Sequence, residues 1–279
     1  MTTIATLGTS ADLSITTPKG LSGKVAVWKA PASDLAPVVF LHGATGLLAP
    51  EPFLELLSAS RDVYAPEWPS FGEEEGEEVL EDMLDFALHG ADLLVALGKM
   101  HGWEHRPVLI GHDMGAMIAA EMACLSPTSI SNLVLLSPIG LWDAAHPIVD
   151  IFALLPYEFP EWLFVDQELG TRLLARGLDF EHPDALETFL VRNSRQLGMA
   201  GKIMFPIPNR RLSKRLYRCD TPALLAWGSE DRLTPTEPYA TLWQQSLPHA
   251  KTVRIEHAGH MVHHEQPESL ARALNEYLS

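Results

Sequence analysis

Three side chains in this chain have types and settings that suit covalent hydrolytic chemistry. Asp113 stands at the centre of Gly111-His112-Asp113-Met114-Gly115, between the apolar run Val108-Leu109-Ile110 and the helix-like run Ala116–Ala123. A G-x-x-x-G pentad in that setting reads as a sharp strand-to-helix turn that lifts its central side chain into a cleft. The usual occupant of that centre is Ser, so Asp redirects the chemistry. A carboxylate is already ionised at neutral pH and needs no base to attack a saturated carbon. Its attack on a carboxylic ester would give a reactive anhydride, which disfavours ordinary esterase action. His260, in Gly259-His260, follows the apolar segment ending near Ile255, and Asp231, in Gly228-Ser229-Glu230-Asp231, follows the one ending at Trp227. Both can converge over the turn, His260 as base and Asp231 as the acid that orients it. Glu230 and Asp143 are rival acids, and His257, His263 and His264 are rival bases that lack the Gly-His pairing.

These residues need a scaffold that brings strand ends together. Segments 13–17 and 24–29 read as two edge strands. Val38–Leu41, Asp62–Ala65, Leu133–Leu136, Ala223–Trp227 and Thr252–Ile255 are short apolar runs of the kind expected in a buried parallel sheet. Helical spacing over 82–97 and a helix from Pro267 to Leu278 alternate with them, which predicts a mostly parallel sheet flanked by helices. Residues 137–222 interrupt the pattern and are rich in Trp, Phe and Pro, with a helical stretch over 185–197. That block reads as a largely helical cap over the strand ends, inserted into a core formed by 1–136 and 223–279. At the first strand end, His42-Gly43-Ala44 allows a tight turn. The N–H groups of Ala44 and Met114 can then aim at one oxygen as an oxyanion hole, with His42 as a scaffold residue of the substrate site.

Composition narrows the partners. The 279 residues carry a formal net charge of −16, which disfavours nucleic acid and anionic membrane. The densest acidic run, Glu73 to Asp82, reads as a solvated loop. No window has the apolar length of a spanning helix, and the N-terminus lacks a basic segment followed by an apolar one, which points to the cytoplasm. Cys124 and Cys219 read as reduced thiols; His263-His264-Glu265 has the residue types of a metal site, but a surface or supporting role is the expectation. No cofactor or metal is expected; the partner is a small molecule, with a homodimer allowed.

The chain resembles the α/β-hydrolase superfamily over nearly its whole length, on His42-Gly43, Gly111–Ala116, Gly228–Asp231 and Gly259-His260. The order Asp113, Asp231, His260 is that superfamily's nucleophile, acid, histidine order. Gly-His-Asp-x-Gly-Ala is most similar to epoxide hydrolases, with haloalkane and haloacid dehalogenases close behind. The resemblance implies an alkyl ester on Asp113, hydrolysed by water that His260 activates. For an epoxide it implies a pair of cap tyrosines as proton donors. Tyr157 suits the first position, and Tyr217 is an undistinguished second. For a halide it implies Trp or Arg after the nucleophile, where this chain has Met114; Trp142 and Trp162 could offer indole N–H groups. Epoxide opening is the leading expectation and dehalogenation its alternative. A carbon–carbon bond or lactone hydrolase related to Ser-elbow enzymes, with Asp113 as base, and a non-catalytic binding protein complete the set.

Overall fold

A computed structural model describes residues 11–18, 20–72, 76–205 and 211–279. Lys19, between the two segments expected as edge strands, and Glu73–Glu75 of the acidic run lie outside them. The strands are β1 (Ala11–Thr16), β2 (Ser22–Trp28), β3 (Val38–Leu41), β4 (Val63–Pro66), β5 (Val108–His112), β6 (Asn132–Leu136), β7 (Ala223–Gly228) and β8 (Lys251–Ile255). They form one sheet in the order β1-β2-β4-β3-β5-β6-β7-β8, parallel from β4 onward and antiparallel where β1 and β2 join. β2 is therefore an interior strand, not an edge, because β4 hydrogen-bonds its outer side. The strands β3 to β7 are buried apart from Asn132 at the start of β6, as expected where helices cover both faces.

One layer contains α2 (Met83–His101), α3 (Met114–Leu125) and α7 (Thr236–Ser246). The other contains α1 (Pro52–Leu57), α8 (Val262–Glu265) and α9 (Pro267–Leu278). Two apolar clusters follow these layers: one holds Phe86, Leu97, Met117 and Trp243, the other Phe53, Leu57, Leu270 and Leu274. α2 starts cleanly because Asp82 accepts from the N–H groups of Leu84 and Asp85, and ends at Gly102 with φ +61°. The sequence shows neither α1 nor α7 clearly, since each is short and broken by Pro or polar residues.

Between β6 and β7 the chain leaves the sheet to form α4 (Phe159–Leu163), α5 (Gln167–Ala175) and α6 (Ala185–Met204). This is an α/β-hydrolase fold with an inserted helical cap. Polar ties fasten the cap to the core. Arg215 makes a two-pronged ion pair with Glu121 of α3, with Nε–Oε2 at 2.7 Å. Arg176 donates to the Thr45 carbonyl, and Arg195 pairs with Glu77 at 2.8 Å. The Glu265 carboxylate accepts from the N–H groups of Gly259, Val165 and Asp166, joining the His260 loop to the cap.

Candidate active site

The turn at Asp113 explains its glycines. Asp113 sits at φ +52°, ψ −116°, a conformation rare for a residue with a side chain. A Cβ on Gly111 would lie 2.4 Å from the Gly115 carbonyl oxygen, and one on Gly115 would lie 2.1 Å from that of Leu41. Only glycine at both ends lets α3 begin against β3 with Asp113 at the apex. Met114 opens α3, where backbone N–H groups have no acceptor within the helix.

His260 lies between two carboxylates. Its Nδ1 is 3.0 Å from Asp231 Oδ2, and its Nε2 is 3.6 Å from Asp113 Oδ1. Asp231 is fixed by the N–H groups of Leu233 (3.0 Å) and Thr234 (2.8 Å) and by the Thr234 hydroxyl (2.7 Å). The sequence reading overlooked Thr234, although a Thr three residues after a loop Asp suits such a turn. Asp113 Oδ2 accepts the Ala44 N–H at 2.8 Å, while Oδ1 and His260 Nε2 are buried without hydrogen-bond partners. His112 Nε2 donates to the His260 carbonyl at 2.9 Å and so holds the loop.

Electrostatics follow from this burial and pairing. Burial alone would lower the His260 pKa, but Asp231 and Asp113 outweigh it and raise it to about 10. Burial alone would raise the Asp113 carboxyl, but the hydrogen-bonding reach and charge of His260 hold it below its ordinary value. The resting arrangement therefore sets an Asp113 carboxylate against a His260 imidazolium. His112 is pushed down to about 4 by burial and by the charge of His260, and stays neutral.

The pocket beside Asp113 is lined by Ala44, Thr45 and His112 below and Leu233, His260 and Met261 at the side. Ile151, Leu154, Phe159, Trp162, Leu163 and Leu197 of the cap close it above. Trp162 thus lines the pocket, but Tyr157, Tyr217, Trp142 and His42 do not. Tyr157 is 76% exposed, because the turn Pro156–Glu158 faces it outward, and Tyr217 is 78% exposed. Trp142 lies outside the pocket lining, on a stretch held to α7 by Tyr239, whose hydroxyl donates to the His146 carbonyl at 2.8 Å. His42 is turned inward: its Nδ1 donates to the Gly43 carbonyl at 2.8 Å and its Nε2 accepts from Trp68 N–H at 3.1 Å. Burial lowers it to about 3, so it is a neutral strut without substrate contact.

The rival acids face elsewhere: Asp143 pairs with His146 at 2.8 Å, and Glu230 lies 3.9 Å from His257. His263 and His264 are buried behind His112, away from the pocket. Cys124 and Cys219 are buried free thiols. No helix among the described residues is long and apolar enough to cross a membrane.

Comparison with known proteins agrees with the fold. Residues 38–273 match the model of the Alpha/beta hydrolase family. The chain belongs to that family, and it is a hydrolytic enzyme by that membership. It is 25% identical over 234 residues to the uncharacterized hydrolase YugF of Bacillus subtilis (strain 168), covering 81% of this chain and 83% of that protein. A bacterial membrane phospholipase A superposes with TM-score 0.74 at 20% identity, covering 96% of this chain and 86% of that one. A 2-hydroxy-6-oxo-6-phenylhexa-2,4-dienoate hydrolase from Rhodococcus sp. strain RHA1 superposes with TM-score 0.68 at 21% identity, covering 97% and 99%.

Proposed function

We propose that this enzyme hydrolyses a small, largely apolar substrate by displacement at a saturated carbon, through an alkyl ester on Asp113. The observation that carries this reading is the Asp113 carboxylate seated on the Ala44 N–H at 2.8 Å. An oxyanion donor that already holds the enzyme's own carboxylate suits an ester in which Asp113 supplies the carbonyl. Oδ1, free of hydrogen bonds, is the attacking atom. Ester formation removes the Asp113 charge that held His260 protonated, so the imidazolium releases its proton to solvent. Water then adds at the Asp113 carbonyl carbon and gives its proton to the freed His260 Nε2. Collapse returns the carboxylate and releases an alcohol that carries an oxygen from the enzyme.

In-line displacement sends the leaving group away from Oδ1, toward the cap. Among the cap residues lining the pocket, Trp162 is the one whose side chain bears an N–H or O–H. An epoxide oxygen departs as an alkoxide and must be given a proton, and Tyr157 is outside the pocket. A halide departs as a stable anion and needs only a donor such as an indole N–H. The reading favoured is therefore hydrolysis of a carbon–halogen bond, ahead of epoxide opening.

Single turnover in oxygen-18 water should place label in Asp113, and His260→Gln should accumulate an alkyl adduct on Asp113. Halide release from a panel of haloalkanes supports the leaving group; diol from epoxides without halide release reverses it. The likeness to the dienoate hydrolase favours a second reading, a carbon–carbon bond or lactone hydrolase with Asp113 as general base. It requires the Ala44 N–H to exchange Asp113 for substrate oxygen. Turnover of such substrates with label only in product would establish that reading and exclude the ester.

A further inference from the structure

Behind His112, away from the pocket, three side chains from two distant segments meet. Glu51 immediately precedes α1, and His263 and His264 lie in α8. One donor atom from each lies within 4.8 Å of the other two, and the residues are only 5%, 3% and 7% exposed. Glu51 Oε1 is fixed by the Leu48 N–H at 2.7 Å. Glu51 Oε2, His263 Nδ1 and His264 Nε2 are buried without hydrogen-bond partners. Three such orphaned atoms from neighbouring side chains are a costly arrangement unless something accepts them all.

The spacing indicates what that is. Glu51 Oε2 and His264 Nε2 are 3.5 Å apart, long for a hydrogen bond. Two donors bound tetrahedrally to one cation at about 2.1 Å stand about 3.4 Å from each other. A carboxylate with two imidazoles suits zinc and its first-row neighbours rather than calcium or magnesium, which take oxygen ligands. We propose that Glu51, His263 and His264 form a buried binding site for a zinc-class divalent cation, with water as fourth ligand.

The site would brace the active site from behind. The His263 ring packs on His112 with centroids 4.4 Å apart, and His112 holds the His260 carbonyl. A cation there would pin the segment before α1 to α8, which directly follows the His260 loop. The sequence offered His263-His264-Glu265 as a cluster, but Glu265 is committed to three backbone N–H groups. Its place is taken by Glu51, far away in the chain. The proposal is independent of the role given to Asp113.

The test uses the full chain stripped with a chelator, dialysed, and titrated calorimetrically with zinc ion alone. One equivalent should bind and raise the melting temperature. Glu51→Gln and His264→Gln should each weaken binding by about tenfold or more, with Asp113→Asn retaining the equivalent. Zinc absorption spectroscopy of the wild type should show two imidazoles and oxygen, without recourse to a variant. No bound equivalent, binding unchanged in both Gln variants, or loss only in Asp113→Asn overturns the site, leaving a proton shared by Glu51 and His264.

Discussion

Replacing Asp113 with Asn should move the titration of His260 far more than any change in shape would. The two residues are buried, 3.6 Å apart, and oppositely charged in the resting site. At an effective dielectric of about 20, that separation corresponds to about 4.6 kcal/mol of Coulomb energy. At about 1.4 kcal/mol for each pH unit, this equals about three units. His260 should then fall from about 10 in the wild type to about 7 in the variant. Nitrogen-15 NMR of the imidazole across pH 5 to 11 reads both values. The same charge is lost when Asp113 becomes an ester, so alkylation would convert an imidazolium into a base matched to neutral pH. Ester hydrolysis should accordingly gain about tenfold per pH unit below about pH 7, while ester formation stays flat. A His260 that titrates above 9 in the Asn variant, or near 6.5 in the wild type, refutes the electrostatic argument.

Five further outcomes are expected. Tyr157→Phe should leave single-turnover rates unchanged within about twofold, whereas Trp162→Phe should slow leaving-group departure by tenfold or more if the indole serves it, roughly one charge-assisted hydrogen bond. Gly43→Ala would put a Cβ 2.8 Å from Asp113 Oδ2 and 2.9 Å from His112 Nδ1; activity should drop about a hundredfold with circular dichroism retained. Arg215→Ala strands the buried Glu121 carboxylate and should cost roughly 2–3 kcal/mol in urea unfolding, less than a fully buried pair because Arg215 is partly exposed. His42 and His112, neutral when folded at about 3 and about 4, ionise at about 6.5 when unfolded. The unfolded chain thus binds more protons between those values, so stability should decline by up to about 1.4 kcal/mol per pH unit for each as pH falls from 6.5. Equal melting temperatures at pH 7 and pH 5 would contradict this.

The parts of the site readable from sequence are those where the backbone restricts residue type. Gly111 and Gly115 are required by contacts under 2.5 Å, so the turn leaves its mark in the letters. Buried parallel strands leave apolar runs, and their ends locate Asp231 and His260. The cap leaves no such mark. Tyr157 and Trp162 are aromatic neighbours in one Pro-rich stretch, and a single 3-10 turn leading into α4 faces the first outward and the second toward the pocket. Glu51 was illegible for another reason: its partners come from the opposite end of the chain, and no local pattern records a meeting across the fold.

Glu265 has a consequence for how this enzyme can diversify. One carboxylate spans Gly259 beside His260 and the adjacent N–H groups of Val165 and Asp166. A transplanted cap would have to present two consecutive free amides at that point, or leave the histidine loop without its anchor. Recombination among related enzymes is therefore constrained by backbone geometry at this junction, while the apolar wall facing the substrate is free to vary.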